Sequence, residues 1–368
     1  MTAVRPALAA RFPEVMSATP GRTRQTTGPS AFDLVARPAP PPKPPPPGAH
    51  DEVSQPGHTA GRTRYPRPVT SHHPAFPPPP GARAYPLRTS RGEFAVVDSS
   101  PKPGAQVRGV VLMLPGFTGS KEDFRLLHEP LAERGYRLVA VDGRGQHESE
   151  GPLDDESAYA QRELARDVLA QAEALGGPVH LVGHSLGGQI ARAAVLLDHS
   201  PFVSFTLVSS GPAEISVSQQ QRVKLLRDAL AVMSMAEVWE AIQAMGPPEE
   251  VGGPARGLGD QDQLRRRWLG HSPAQLLATG RQLCTEPDRV AELAAVPLPF
   301  HVLSGAHDDT WPVAILDDMA LRLDAHRTVI TGAEHSPNAD RPLPTAHALA
   351  DFWDGLGQGG FRADPGTA

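Results

Sequence analysis

The chain has 368 residues, 39% of them hydrophobic, and a formal net charge of −6. Its one cysteine, Cys284, excludes an intrachain disulfide, and no apolar run reaches the ~20 residues of a membrane-spanning helix, so we expect a cytoplasmic protein without an integral membrane segment. Residues 1–90 hold 11 Lys/Arg against 4 Asp/Glu and the remainder 24 against 37, and this acidic body argues against nucleic acid as a partner.

Residues 1–82 are predicted to form a disordered, proline-rich tail. About half of the 41 prolines lie in the first 90 residues, and the runs at 37–47 and 77–80 are typical of polyproline II or disordered chain. Three interpretations stay open for this tail. It is a docking segment, a flexible extension without a role, or the translation of DNA that lies upstream of the true start codon.

The predicted core begins at residue 83, and its apolar runs alternate between strand-like and helix-like patterns. Strands are predicted at 93–97, 109–114, 137–141, 178–182 and 205–209, and helices at 121–134, 160–175 and 188–197. This alternation indicates an α/β fold with a doubly wound, mostly parallel sheet. The first part of this core spans residues 83–211.

Residues 212–293 interrupt the alternation and are predicted to form a helical lid. Helices are expected at 216–233, from 235 onward, and from Ser272-Pro273, which form a favourable N-cap and first-turn pair. A Gly/Pro-rich loop spans 246–259. Strands at 298–303 and 327–330 and a helix at 344–356 complete the core over 294–358, followed by a flexible C-terminus at 359–368.

The segment Gly183-His184-Ser185-Leu186-Gly187 has the G-x-S-x-G pattern of a nucleophile elbow. It lies between a β-branched run and a segment of helical composition, which is the strand–turn–helix context that the motif requires. Ser185 is therefore the candidate nucleophile, at the carboxyl end of a strand, where ligands bind in such sheets.

A serine hydroxyl is a weak nucleophile that needs a base and an orienting carboxylate. Asp308 and Asp309 follow strand 298–303, and His335 follows strand 327–330, in the order Ser, Asp, His expected with this elbow. We predict Ser185, Asp308 and His335 as the catalytic residues. Asp309, or Glu214 after strand 205–209, is the alternative acid.

These residues resemble the α/β-hydrolase superfamily, in particular its lid-bearing carboxylesterases and monoacylglycerol lipases, over residues 90–355. Segment 114–120 is similar to the family's His-Gly-Phe oxyanion loop, and segment 142–149 to its Asp-x-Arg-Gly-x-Gly-x-Ser loop. The resemblance favours Asp308 over Asp309 as the acid, and it implies that the backbone N–H groups of Phe117 and Leu186 form the oxyanion hole.

Two residues depart from the family pattern. Pro115 stands where histidine is usual, which affects how the oxyanion loop is held, and His147 stands where glycine is usual, so that a different loop backbone is expected. His147 and Glu148 are interpreted as loop structure, with substrate contact as the alternative. His184, His301 and His307 are interpreted as structural or pocket-lining.

The implied function is hydrolysis of a small-molecule carboxylic ester through an acyl-enzyme, without a cofactor or metal. Thioester, perhydrolase and carbon–carbon hydrolase chemistry on the same residues stay open, as does a non-catalytic binding protein on this scaffold. Dehalogenases and epoxide hydrolases of this fold are disfavoured, because they use aspartate where this chain has Ser185.

Overall fold

The structure, a computed structural model, describes residues 76–101, 104–245 and 261–358. The described residues form an eight-stranded sheet in the order β1-β2-β4-β3-β5-β6-β7-β8. The strands are Ala82–Thr89 (β1), Gly92–Ser99 (β2), Gly109–Leu114 (β3), Tyr136–Val141 (β4), Val179–His184 (β5), Phe202–Val208 (β6), Phe300–Gly305 (β7) and His326–Ile330 (β8). Strand β2 runs in the direction opposite to that of the other seven strands of this sheet. The predicted doubly wound, mostly parallel sheet is confirmed.

Helices connect the strands and cover both faces of the sheet. They are His128–Glu133 (α1), Gln161–Ala174 (α2), Leu186–Leu197 (α3), Val217–Leu230 (α4), Met235–Met245 (α5), Gln261–Gly270 (α6), Pro273–Leu283 (α7), Val290–Ala294 (α8), Val313–Arg322 (α9), Pro337–Asp340 (α10) and Pro342–Gln358 (α11). Two 3₁₀ helices span Lys121–Leu127 and Glu156–Tyr159.

The central strands are buried on both faces because alternate side chains enter two different hydrophobic clusters. In β3, Leu112 and Leu114 pack into the cluster that also contains Leu186 of α3. Val111 and Met113 point to the opposite face, into the cluster that α11 covers. Because β5, β7 and β8 run parallel, their carboxyl ends lie along one edge of the sheet. The loops that follow these strands carry the candidate site.

Three sequence predictions of the core need correction. Strand β1 was not predicted, because Pro86 lies inside it; its edge position tolerates a residue without an N–H. The predicted helix 121–134 is a 3₁₀ helix followed by the short helix α1. The predicted tail ends at residue 82, but Phe76 is already buried, with its ring edge-on against His147.

The residues between β6 and β7 are helical, as predicted, over their described part. Helix α7 begins as expected, with the Ser272 hydroxyl accepting a hydrogen bond from the Gln275 N–H. Helix α6 was not predicted. The predicted loop 246–259 lies outside the described residues, as do residues 1–75 of the predicted tail and the predicted C-terminal segment 359–368.

Among the described residues, none of the helices combines the length and the apolar character needed to cross a membrane.

Candidate active site

Ser185 occupies a sharp turn between β5 and α3. Its backbone has φ 53° and ψ −121°, a left-handed conformation that costs free energy for a residue with a Cβ. The turn is possible because its neighbours are glycines. A Cβ on Gly183 would lie 2.5 Å from the Gly187 carbonyl oxygen, and one on Gly187 would lie 2.4 Å from the Leu114 carbonyl oxygen.

His335, in the loop after β8, lies between Ser185 and Asp308. Its Nε2 is 3.1 Å from the Ser185 Oγ, and its Nδ1 is 3.0 Å from both carboxylate oxygens of Asp308. The Asp308 carboxylate is inaccessible to solvent and accepts backbone N–H bonds from Thr310 and Trp311, at 2.8 and 3.1 Å. These contacts fix the carboxylate so that it orients the imidazole toward Ser185.

The two alternative acids lie elsewhere. Asp309 and Glu214 are both exposed. The Asp309 carbonyl accepts a hydrogen bond from the Ser216 hydroxyl, and the Glu214 carbonyl accepts one from the Trp311 indole N–H. The loop after β7 thus directs Asp308, and not Asp309, toward His335.

The loop after β3 packs directly against the serine turn. A Cβ on Gly116 would lie 3.3 Å from the Ser185 Cβ, so the backbone of the following residue, Phe117, lies beside the turn. Leu186 is the first residue of α3, and a helix's first N–H groups lack an intrahelical acceptor. The two predicted N–H donors, those of Phe117 and Leu186, therefore belong to segments in contact at Ser185.

Gln146 fixes the loop after β3. In this loop Pro115 stands where the family that the sequence resembles usually has histidine. The Gln146 side-chain amide donates to the Gly116 carbonyl at 2.9 Å, and its amide oxygen accepts from the Gly143 N–H at 3.0 Å. The departure at Pro115 is thus accompanied by a bridge from segment 142–149. Nothing in the sequence pattern distinguished Gln146 from its neighbours.

His147 keeps the backbone conformation that a glycine would adopt. Its φ is 41°, in the left-handed region that glycine enters readily. The expectation that this loop's backbone differs from that of the family stays a prediction. Its side chain is 4% exposed and lies beside Glu148.

Lys121 is buried beneath the same loop with three carboxylates. Its ammonium lies 2.8 Å from Asp142 and 2.9 Å from both Glu122 and Glu148. Burial lowers the pKa of Lys121, but the three carboxylates more than offset this and hold the pKa well above its usual range. The lysine is therefore charged at neutral pH.

Two side chains from the segment between β6 and β7 contact the Phe117 loop. Arg267 of α6 donates to the carboxylate of Asp123 at 2.7 Å and to the Thr118 carbonyl at 3.2 Å. The Nε2 of His271 lies 3.1 Å from the Gly119 carbonyl. Sequence patterns do not reveal such contacts, because about 150 residues separate the partners.

The sequence model of a protein family, described as the alpha/beta hydrolase family, matches residues 111–348 of the chain. The chain belongs to this family. Among curated relatives, it is 30% identical over 235 residues to the pimeloyl-[acyl-carrier protein] methyl ester esterase of Aeromonas hydrophila, covering 60% of this chain and 86% of that protein. It is 25% identical over 252 residues to the monoacylglycerol lipase ABHD6 of Rattus norvegicus, covering 66% and 74%.

Solved structures support the same fold. The chain is similar to an esterase from Exiguobacterium antarcticum, with a TM-score of 0.59 at 20% identity over 74% of this chain and 100% of that one. A thermophilic esterase from Thermogutta terrifontis gives a TM-score of 0.58 at 20% identity, over 75% and 99%. The predicted family and fold are confirmed, and the protein is a hydrolase of the alpha/beta class.

His184, next to the candidate nucleophile, connects two strand ends of this alpha/beta hydrolase. Its Nε2–H donates to the His335 carbonyl at 3.0 Å, which leaves Nδ1 unprotonated beside Gly116. Burial, and secondly the charge of His335, lower the pKa of His184 to about 4. The neutral imidazole therefore fixes the backbone of His335 at neutral pH. The structural role expected for His184 agrees with these contacts.

Among the described residues, five buried histidines have a lowered pKa, and burial is the main cause in each. The pKa is lowered to about 4 in four of them and to about 3 in the fifth: His128, His180, His184, His271 and His301. The unfolded chain, in which the histidine pKa is about 6.5, binds more protons than the folded chain below that pH. Stability is thus highest above pH ~6.5 and falls toward pH 4.

We expect the urea unfolding midpoint, followed by far-UV circular dichroism, to decrease steeply from pH 7 to pH 4.5. Each buried histidine contributes a slope of up to ~1.4 kcal/mol per pH unit to the free energy of unfolding. His180→Gln should reduce the slope, and His199→Gln, at an exposed position, should leave it unchanged. A midpoint independent of pH in wild type would contradict the neutral burial of these side chains.

Proposed function

We propose that the protein is a serine hydrolase that cleaves carboxylic esters of small molecules through an acyl-enzyme. The observation that carries the proposal is the continuous contact from Ser185 Oγ through His335 to the inaccessible Asp308 carboxylate, with distances of 3.1 and 3.0 Å. These are the donor–acceptor distances that proton transfer from a nucleophile to its base requires.

In the first half-reaction, His335 Nε2 accepts the proton of Ser185 as the serine oxygen attacks the ester carbonyl carbon. The Asp308 carboxylate accepts a hydrogen bond from Nδ1–H and stabilises the imidazolium that forms. When the tetrahedral intermediate collapses, the C–O bond to the alcohol breaks and His335 returns the proton to the leaving oxygen.

In the second half-reaction, a water molecule replaces the alcohol. His335 takes a proton from this water, whose oxygen attacks the acyl carbon, and then gives the proton to Ser185 as the free acid leaves. The backbone N–H groups of Phe117 and Leu186 are the proposed donors to the oxyanion in both halves, and loss of one such donor costs about 3 kcal/mol in comparable sites.

The helical insert, residues 212–293, is the proposed lid of this site. Arg267 donates a hydrogen bond to the Thr118 carbonyl, and the His271 Nε2 lies 3.1 Å from the Gly119 carbonyl. A Cβ on Gly280 of α7 would lie 3.1 Å from the Phe117 ring. The insert therefore borders the space into which an acyl or alcohol group would extend, and its side chains are the proposed determinants of substrate size.

A substrate panel tests this function. The purified chain is assayed with p-nitrophenyl esters of increasing acyl length, with matched acyl thioesters, and with a fluorophosphonate label that reacts with activated serines. Ester cleavage and labelling together support the proposal. Preference for thioesters would assign the same residues to the alternative bond, and the absence of both cleavage and labelling would overturn it.

A further inference from the structure

The buried cluster around Lys121 contains more negative than positive charge. The carboxylates of Glu122, Asp142 and Glu148 surround one ammonium, so these four side chains carry a net charge of −2. The side chains of Lys121 and Asp142 are inaccessible and that of Glu122 is 4% exposed. Unbalanced charge in a low-dielectric environment is costly, so this group is suited to bind a cation.

His147 supplies an observation independent of the charges. Its side chain is 4% exposed, yet neither ring nitrogen has a hydrogen-bond partner. Buried polar atoms are nearly always hydrogen-bonded, so an unpartnered buried imidazole calls for an explanation. Its Nε2 lies 3.7 Å from the Glu148 Oε1. One donor atom from each of Glu122, His147 and Glu148 can be chosen so that all lie within 4.8 Å of one another.

The Lys121 ammonium contacts one carboxylate oxygen of each of the two glutamates and not the other. Its ammonium contacts Oε1 of Glu122 and Oε2 of Glu148. The Glu122 Oε2 has no hydrogen-bond partner, and the Glu148 Oε1 is the atom nearest His147. Carboxylates that bind a metal are commonly oriented by a contact to the oxygen that does not bind the metal.

We propose that Glu122, His147 and Glu148 bind a divalent transition-metal ion, Zn²⁺ in particular. One imidazole nitrogen and two carboxylate oxygens are a donor set that suits Zn²⁺, whereas Mg²⁺ and Ca²⁺ prefer oxygen donors alone. The two charges of the ion balance the two excess carboxylates. The Glu148 side chain is 29% exposed, which opens the site to solvent. This site shares no residue with the proposed triad, and the proposal differs from the expectation of a protein without a metal.

Isothermal titration of the EDTA-treated full-length chain with ZnCl₂, and separately with MgCl₂, tests the site. We expect zinc to bind more tightly than magnesium, and His147→Gln and Glu122→Gln each to weaken zinc binding by at least about tenfold. The matched controls His199→Gln and Glu129→Gln, both at exposed positions, should bind zinc as wild type does. Equal zinc affinity in His147→Gln, in Glu122→Gln and in wild type would overturn the proposal, as would the absence of zinc binding at millimolar concentration.

A spectroscopic readout separates loss of the site from loss of the fold. Co²⁺ in a nitrogen–oxygen site gives visible d–d bands; we expect them in wild type and not in Glu148→Gln, whose partly exposed side chain makes unfolding of the variant less of a concern. Thermal melting in EDTA establishes that the variant is folded. Ser185→Ala should retain the bands, so failure of ester hydrolysis and failure of metal binding are distinguishable. Unchanged bands in Glu148→Gln would count against the site.

Discussion

Ser185→Ala is expected to lower kcat/KM for p-nitrophenyl esters by a factor on the order of 10⁴ to 10⁶ and to abolish fluorophosphonate labelling. Removal of the nucleophile leaves only the contributions of substrate binding and of the oxyanion donors. Alanine keeps the Cβ that the strained turn already accommodates at φ 53°, so the melting temperature should stay close to that of wild type.

The matched control for this variant is Ser200→Ala, at an exposed position, which should hydrolyse esters and take the label as wild type does. Mass spectrometry of the labelled protein should find the adduct on the peptide that contains Ser185. Labelling that persists in Ser185→Ala would show that another residue is the nucleophile.

Asp308→Asn is expected to lower kcat by a factor on the order of 10⁴, because it reverses the hydrogen-bond polarity at His335. The Thr310 and Trp311 N–H groups, which now bond to Oδ1, would hold the asparagine carbonyl oxygen. Its NH₂ would then face His335 Nδ1 and place the ring hydrogen on Nε2, the atom that must accept the proton of Ser185.

Asp309→Asn is the control for this substitution, since it changes an adjacent carboxylate that is exposed. Steady-state kinetics on both variants should give a loss for Asp308→Asn and wild-type rates for Asp309→Asn. The reverse result would assign the acid to Asp309 and contradict the geometry of the β7 loop.

The sheet and the three candidate catalytic residues were predictable because local patterns encode them. The strand β5, the glycines around Ser185 and helix α3 follow one another directly, and glycine is the residue that the close approach at the turn requires. Asp308 and His335 were found from their positions after strands, since strand ends in a parallel sheet converge at one edge. In these cases the local sequence and the tertiary fold favour the same conformation.

Other features depend on contacts between residues distant in the chain. Strand β1 contains Pro86 and forms only as an edge partner of β2, which local propensity does not encode. Gln146, Arg267 and His271 contact backbone carbonyls of the Phe117 loop, and side-chain identity in the sequence gives no signal for such contacts. The grouping of His147 with Glu122 likewise results from the packing of the loop after β4 against the 3₁₀ helix Lys121–Leu127.

The contacts of Arg267 and His271 with the carbonyls of Thr118 and Gly119 connect the insert to the Phe117 loop. A substitution in the insert that enlarges the space for a substrate also alters the restraint on the Phe117 backbone. We therefore expect substrate range and turnover rate to change together. We expect adaptation to a new ester to require compensating changes on both sides of the contact, in the insert and in the loop that it holds.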